Sequence, residues 1–262
     1  MTPSGTIATD TELGHYWQSH SCTAEPPPPM QNLHSGRQTR EVGVGPRSIP
    51  TAIVFFTAVF LFVIIAVVVA LSPAVTAIDG NVAGWLHVRA TPHVTDVMAA
   101  ISLLGAPTTL TIVAVAGSLL LLYRRRYAEA ALLSTVVLGG NFLNFCLKHL
   151  IQRGRPAFDD PLFSLPTYSF PSGHAMASTV FYGLLAIYVS VSARQRYAAP
   201  VAIGAAVVMI ALVSISRVYL GLHYLSDVLG GLSEGIAWLA LSVIAWRHRR
   251  RREAGLGVNA DS

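Results

Sequence analysis

The sequence predicts an all-α, polytopic membrane protein with six transmembrane helices and a short interfacial helix. Three observations predict it. Over half of the 262 residues are apolar and only 12% are charged, where a typical soluble domain carries about 25% charged residues. Apolar runs near the ~20 residues that cross a bilayer recur along the chain. The arginine clusters fall between those runs, at every second connection.

Residues 1–47 are polar, with prolines at 26–29 and no sustained apolar period, and are expected to form a disordered cytoplasmic tail. They lack the short apolar core of a signal peptide, so the first span is expected to be an uncleaved anchor. Residues 51–71 are uncharged and mostly apolar and form that span. The mixed segment 72–95 carries Asp79, Trp85, His87, Arg89 and His93. Trp85 and Leu86 beside polar neighbours suit a helix lying at the membrane surface. No charge occurs in 97–123, but Gly105-Ala106-Pro107 should break the helix. The second span is placed mainly at 107–123, after a separate short helix. Four more spans follow at roughly 128–149, 173–192, 198–216 and 225–246. The expected organisation is a tail (1–47), a six-span domain (48–246) and a basic cytoplasmic tail (247–262).

Of the 18 lysines and arginines, 13 fall on one side of this topology: three before the first span, three after the second, two after the fourth and five after the sixth. The excess of positive charge marks that side as cytoplasmic. Net charge of +5 is thereby a topological signal, and no nucleic-acid partner is implied. The other five cations, Arg89, Lys148, Arg153, Arg155 and Arg217, fall on the outer side, where they ask for another reason. The two cysteines, Cys22 and Cys146, offer neither a disulfide framework nor metal-ligand spacing.

Three outer segments carry the polar residues. KHLIQRGRP, residues 148–156, ends the third span, and Lys148 continues a helix face with Asn141 and Asn144. PSGH, residues 171–174, precedes the fourth span. Ser172 is placed there as an N-cap, Gly173 permits close backbone approach, and a helix N-terminus attracts anions. SRVYLGLHYLSD, residues 216–227, joins the last two spans. His223 and Asp227 stand four apart, so a carboxylate can fix an imidazole tautomer and leave its other nitrogen free to attack. Each segment alone could be simple capping or loop solvation. Together, Lys148, Arg155, Arg217, two helix N-termini and Ser172 suit a phosphate. Two histidines, His174 and His223, can then divide attack on phosphorus from protonation of the leaving oxygen. The residues do not by themselves assign which one attacks, though the Asp227 pairing favours His223.

K-x6-RP at 148–156, PSGH at 171–174 and SR-x5-H-x3-D at 216–227 resemble the three-part signature of the type 2 phosphatidic acid phosphatase (PAP2) family at every signature position. The resemblance spans roughly residues 50–246. It implies a six-span PAP2-type bundle with a metal-independent phosphatase site near the outer face, with no cofactor. By position, His223 resembles the nucleophile that forms a phosphohistidine, Asp227 its orienting carboxylate and His174 the general acid. Lys148, Arg155, Ser172, Gly173 and Arg217 resemble the phosphate cradle. The implied partners are membrane lipids and a lipid phosphate substrate. Polyprenyl diphosphate is favoured over phosphatidate and phosphatidylglycerol phosphate. A lipid phosphotransferase using the same phosphohistidine is the alternative. A transporter is disfavoured because the charges cluster at one face and no repeated half with broken helices occurs. A metal triad of His174, His223 and Asp227 is disfavoured by the cations around it. Localisation is expected in the plasma membrane, with both termini cytoplasmic and the site outward.

Other polar residues have quieter expectations. His93, His149 and Arg153 are assigned to loop solvation or lipid-headgroup contact, and His87 and Trp85 to the interfacial helix. Glu234, two turns beyond Asp227, is expected to face the bundle interior and bond a neighbouring span, with a proton relay as a lesser option. Met176, Phe181 and Tyr182 are expected to pack.

Overall fold

The computed structural model describes residues 48–158, 167–193 and 195–258, and the expectations for residues 1–47, including Cys22, lie outside them. The described residues form eight helices and no strand: α1 (Ser48–Leu71), α2 (Pro73–Val88), α3 (Pro92–Leu104), α4 (Pro107–Tyr123), α5 (Tyr127–Ile151), α6 (Gly173–Ser192), α7 (Ala198–Tyr219) and α8 (Leu225–Val258). Prolines open α2, α3 and α4, where their missing N–H costs nothing and their fixed φ suits the first turn.

Six helical stretches are long and apolar enough to cross a membrane: 50–71, 92–123, 127–151, 173–192, 198–219 and 225–252. The second combines α3 and α4 and so begins earlier than the expected 107–123, though the helix is interrupted at Gly105 and Ala106 as Pro107 foretold. α7 runs three residues past its expected end and takes Arg217 into its last turn. α8 continues through Arg249–Arg252, whereas the sequence suggested a tail from residue 247. Its 34 residues rise about 50 Å at 1.5 Å each, well beyond a ~30 Å hydrocarbon core.

α1 runs along α8, and α6 is packed against α5, α7 and α8; α4 pairs with α5, and α3 with α7. A small-residue core forms where α4, α5 and α6 meet, with Leu110, Ala114, Val136, Val137, Met176, Ala177, Val180 and Leu184 buried. Side-chain bonds cross the α4–α5 seam, from Asn141 to Thr111 (2.8 Å) and from Ser134 to Ser118 (3.0 Å). Large apolar side chains such as Phe56, Phe60, Leu119 and Phe142 point outward and exposed. Exposed apolar faces around buried polar groups suit a protein solvated by lipid.

Because successive spans run in opposite directions, the C-terminal ends of α5 and α7 meet the N-terminal ends of α6 and α8 at one end of the bundle. Arg124–Arg126, Arg196 and Arg247 lie toward the other. That convergence gathers the three polar segments.

Candidate active site

At this end α8 begins with a tightly bonded first turn. Asp227, its third residue, reaches back so that the Tyr224 N–H donates to Oδ2 (2.8 Å). This is the carboxylate half of a capping box. The Ser169 hydroxyl also donates to Oδ2, and Arg153 Nη1 donates to Oδ1 at 2.6 Å. Asp227 is fully buried. His223 stands in the turn before α8, after Gly221 at φ 68°, a left-handed conformation that glycine adopts without strain. A side chain there would also strike the Phe158 ring.

His223 Nδ1 lies 3.6 Å from Asp227 Oδ2 and 3.5 Å from the Ser169 oxygen. Nε2 lies 3.3 Å from Arg155 Nη1. Acceptors face Nδ1 and a donor faces Nε2, so the partners assign the proton to Nδ1 and the lone pair to Nε2. Burial pushes His223 down to about 3, against the opposing pull of Asp227, and the charges of Arg155 and Lys148 push the same way as burial. The imidazole is therefore neutral near pH 7, with Nε2 free to act as a base or nucleophile.

The cation-bearing segment follows α5. Lys148 Nζ donates to the carbonyls of Tyr168 (2.8 Å) and Ser169 (3.2 Å). Arg155 donates to Thr167 O (2.7 Å), Thr167 Oγ1 (2.8 Å) and Leu222 O. Burial lowers its guanidinium below the usual range, though it remains a cation near neutral pH. On α7, Arg217 is buried and donates from Nη1 to Ser102 on α3 at 2.5 Å. Its Nε and Nη2 are buried without a hydrogen-bond partner among the described residues.

PSGH meets this group from α6. Ser172 occupies the N-cap position, but its hydroxyl makes no capping bond and is buried without a partner among the described residues. The expected side-chain cap is absent, which leaves the N-terminal N–H groups of α6 open, the arrangement that favours an anion. The Ser172 N–H instead donates to Asp227 O (2.9 Å), tying α6 to α8. His174 is within the electrostatic reach of Arg217, His223, Arg155 and Lys148. Gly173 lies against Asn144, whose Oδ1 is 3.0 Å from where a Cβ would stand.

The structure thus brings together all eight residues singled out from the sequence: Lys148, Arg155, Ser172, Gly173, His174, Arg217, His223 and Asp227. Glu234 faces inward as expected and accepts from Asn144 Nδ2 (2.7 Å). Met176 is buried in the core, and Phe181 and Tyr182 pack edge to face. His149 is exposed and bonds its own helix at Phe145 O.

Arg153 departs from expectation. It is not loop solvation but a bridge, with Nη1 on Asp227 and Nη2 on Asp79 Oδ2 at 2.8 Å. Asp79, on α2, is buried and also accepts from the Ser226 N–H (3.1 Å) and hydroxyl. Sequence reasoning missed Asp79, Ser102 and Ser169 as well. Arg153 had left a trace, as one of five cations on the side where topology disfavours them.

A multi-pass helical bundle that gathers one buried imidazole, His223, and one partly buried, His174, among surplus cations at one end is a membrane protein whose polar end suits an anion. Comparison with known proteins gives the family. Residues 128–252 match the PAP2 superfamily. The chain is 35% identical over 181 residues to phosphatidylglycerophosphatase B of Bacillus subtilis (strain 168), covering 68% of this chain and 87% of that protein. It is 37% identical over 106 residues to sphingosine-1-phosphate phosphatase 2 of Mus musculus, covering 38% of this chain and 28% of that protein. A crystal structure of a transmembrane PAP2-type phosphatidylglycerolphosphate phosphatase from Bacillus subtilis superposes with a TM-score of 0.63 at 31% identity, covering 71% of this chain and 92% of that one. The chain belongs to the PAP2 superfamily and is a membrane phosphatase of that type.

Proposed function

We propose that this protein hydrolyses the phosphate ester of a membrane lipid at the extracytoplasmic face, through a phosphohistidine on His223. One observation carries the reading. Lys148, Arg155 and Arg217 form no ion pair among the described residues, while Arg217 and Ser172 keep buried donors unspent beside the two histidines. A phosphate supplies the missing charge and acceptors.

In the first step His223 Nε2 attacks phosphorus and the bond to the lipid oxygen breaks, with His174 giving that oxygen a proton. In the second, water attacks phosphorus and passes a proton to His174. The P–N bond breaks, releasing inorganic phosphate and neutral His223. Lys148, Arg155, Arg217 and the α6 N-terminus hold the equatorial oxygens as charge redistributes. No metal enters either step. Lys148, Arg155 and Arg217, gathered around the histidines, would repel a metal ion while attracting a phosphate.

The relatives' names speak for a lipid monophosphate, so phosphatidylglycerol phosphate heads the candidates, with phosphatidate and polyprenyl diphosphate behind. The outward placement rests on the 13 cations assigned to the opposite side. The test is phosphate release by the purified protein from these three lipids, in the presence of EDTA. His223→Ala should abolish release and phosphoenzyme trapping. His174→Ala should cost about 10²–10⁴-fold, the range of a general acid. Full activity in either variant, or loss in EDTA restored by zinc, would overturn the mechanism.

A further inference from the structure

We propose that Asp79 and Arg153 form a positioning arm that sets the Asp227 carboxylate, and through it the His223 ring, so that α2 belongs to the catalytic machinery. This rests on the reading of His223 as nucleophile and adds residues to it. Neither residue is part of the three-segment signature, and Asp79 lies outside residues 128–252, which match the family.

The geometry is a chain of charge-assisted bonds. Asp79 Oδ2 accepts from Arg153 Nη2 (2.8 Å), and Arg153 Nη1 donates to Asp227 Oδ1 (2.6 Å) and to Ser226 Oγ (2.7 Å). Asp227 Oδ2 then faces His223 Nδ1. Asp79 Oδ1 meanwhile accepts the Ser226 N–H, inside the first turn of α8. One residue of α2 therefore fixes both the guanidinium that locks Asp227 and the backbone turn that carries it. The Tyr224 ring covers the guanidinium carbon at 4.3 Å and fixes its plane. A forked guanidinium held by two carboxylates has one orientation, which a point charge would not impose. Burial alone would lower the Arg153 guanidinium, but Asp227 and Asp79 outweigh it and leave it raised.

The arm acts at a distance from the substrate. Arg153 has a counter-charge on each side, unlike Lys148, Arg155 and Arg217, so it has no charge to spend on a phosphate. Its effect on His223 is indirect and has a definite sign. His223 is faced by Asp227 on α8, Lys148 on α5, Arg155 beyond it and His174 on α6, and His174 is faced in turn by Arg217 on α7. Arg153 draws on Oδ1 and weakens the negative field that Asp227 turns toward Nδ1, while Asp79 tempers Arg153. Removing the guanidinium leaves Asp227 free to rotate and strengthens its hold on a protonated imidazole.

The experiment uses the full-length protein, purified in detergent, on whichever of phosphatidylglycerol phosphate, phosphatidate and polyprenyl diphosphate the wild type hydrolyses. Arg153→Gln should lower kcat by about 10²-fold, the cost of misplacing a reacting group by roughly 1 Å. KM should stay within about twofold, and the acid limb of the pH–rate profile should move upward. Arg153→Lys keeps the charge without the fork, so kcat should fall while the acid limb stays in place; this variant carries the test if the glutamine form does not fold. Asp79→Asn should lower kcat alone, and the Arg153→Gln/Asp79→Asn double variant should match Arg153→Gln within about threefold, as expected of residues acting in one chain.

Wild-type kcat and pH dependence in Arg153→Gln, a loss confined to KM, or additive effects of the two substitutions would each overturn the arm. Failure to trap a phosphohistidine in the wild type, or activity in His223→Ala, would instead overturn the nucleophile assignment. The two failures are therefore distinguishable.

Discussion

At the scale of single residues, the site consists of polar groups whose partners are deliberately incomplete. Among the described residues, Arg217 commits one nitrogen to Ser102 and leaves two buried and unspent, and Ser172 leaves its hydroxyl unspent. Unsatisfied buried donors cost about 1–3 kcal/mol each, a cost that the phosphate of the proposed substrate would offset. His223 shows the opposite economy: burial and nearby cations hold it at about 3, where it stays neutral. Its pKa is depressed below the ordinary value near 6.5, so lowering the pH should leave it unprotonated where an exposed histidine would charge. Histidine-labelled NMR of the detergent-solubilised protein should show the His223 ring neutral from about pH 7 down to about pH 4. A titration midpoint near 6.5 would contradict the burial.

At the scale of elements, helix ends were readable and their cross-connections were not. Pro107 separated α3 from α4 as expected, and the motif segments fell on the ends of α5, α6, α7 and α8. Those features are local: a proline, a glycine or an i,i+4 pair acts within one turn. Arg153 and Asp79 are 74 residues apart, and no periodicity connects them. Ser172 illustrates a subtler miss, since its position was right and its hydroxyl is nevertheless not a cap. The α6–α8 contact decides this geometry. A Cβ on Gly231 would drive into the Ser172 carbonyl, a backbone atom that no rotamer change can move. Gly231→Ala should therefore lower thermal stability by about 1–3 kcal/mol and depress activity by displacing PSGH from α8. Gly80→Ala, on α2 with open space around it, should leave both unchanged. Melting and phosphate release measured on the two variants provide the check.

At the scale of the whole molecule, the bundle inverts the usual distribution of polarity. Phenylalanines and leucines face outward, and the charges are gathered at one end of the interior. Composition announced that inversion before any motif was considered, because 12% charged residues cannot clothe a soluble surface of this size. The clustering of charge was legible too, from five cations on the side that topology disfavours. What sequence could not apportion was their employment: Lys148, Arg155 and Arg217 form no ion pair among the described residues, Arg153 bridges Asp79 and Asp227, and Arg89 lies over the Trp85 ring. That distinction depends on which carboxylate lies nearby in space.

The anchoring of Arg153 by Asp79 and of Arg217 by Ser102 also limits how far this enzyme can be dismantled. Both anchors precede residue 128, where the match to the family begins. A minimal fragment of residues 128–252 would retain every signature motif yet leave Arg153 with Asp227 alone and the Ser226 N–H without its Asp79 acceptor, and removing one partner of a buried ion pair costs up to about 3–5 kcal/mol. Such a fragment should insert into membranes and remain inactive. Co-expression with a second piece spanning residues 48–126 should restore phosphate release, and should fail to do so when that piece carries Asp79→Asn. The motifs are portable as text, while the working enzyme is a joint product of both halves of the chain.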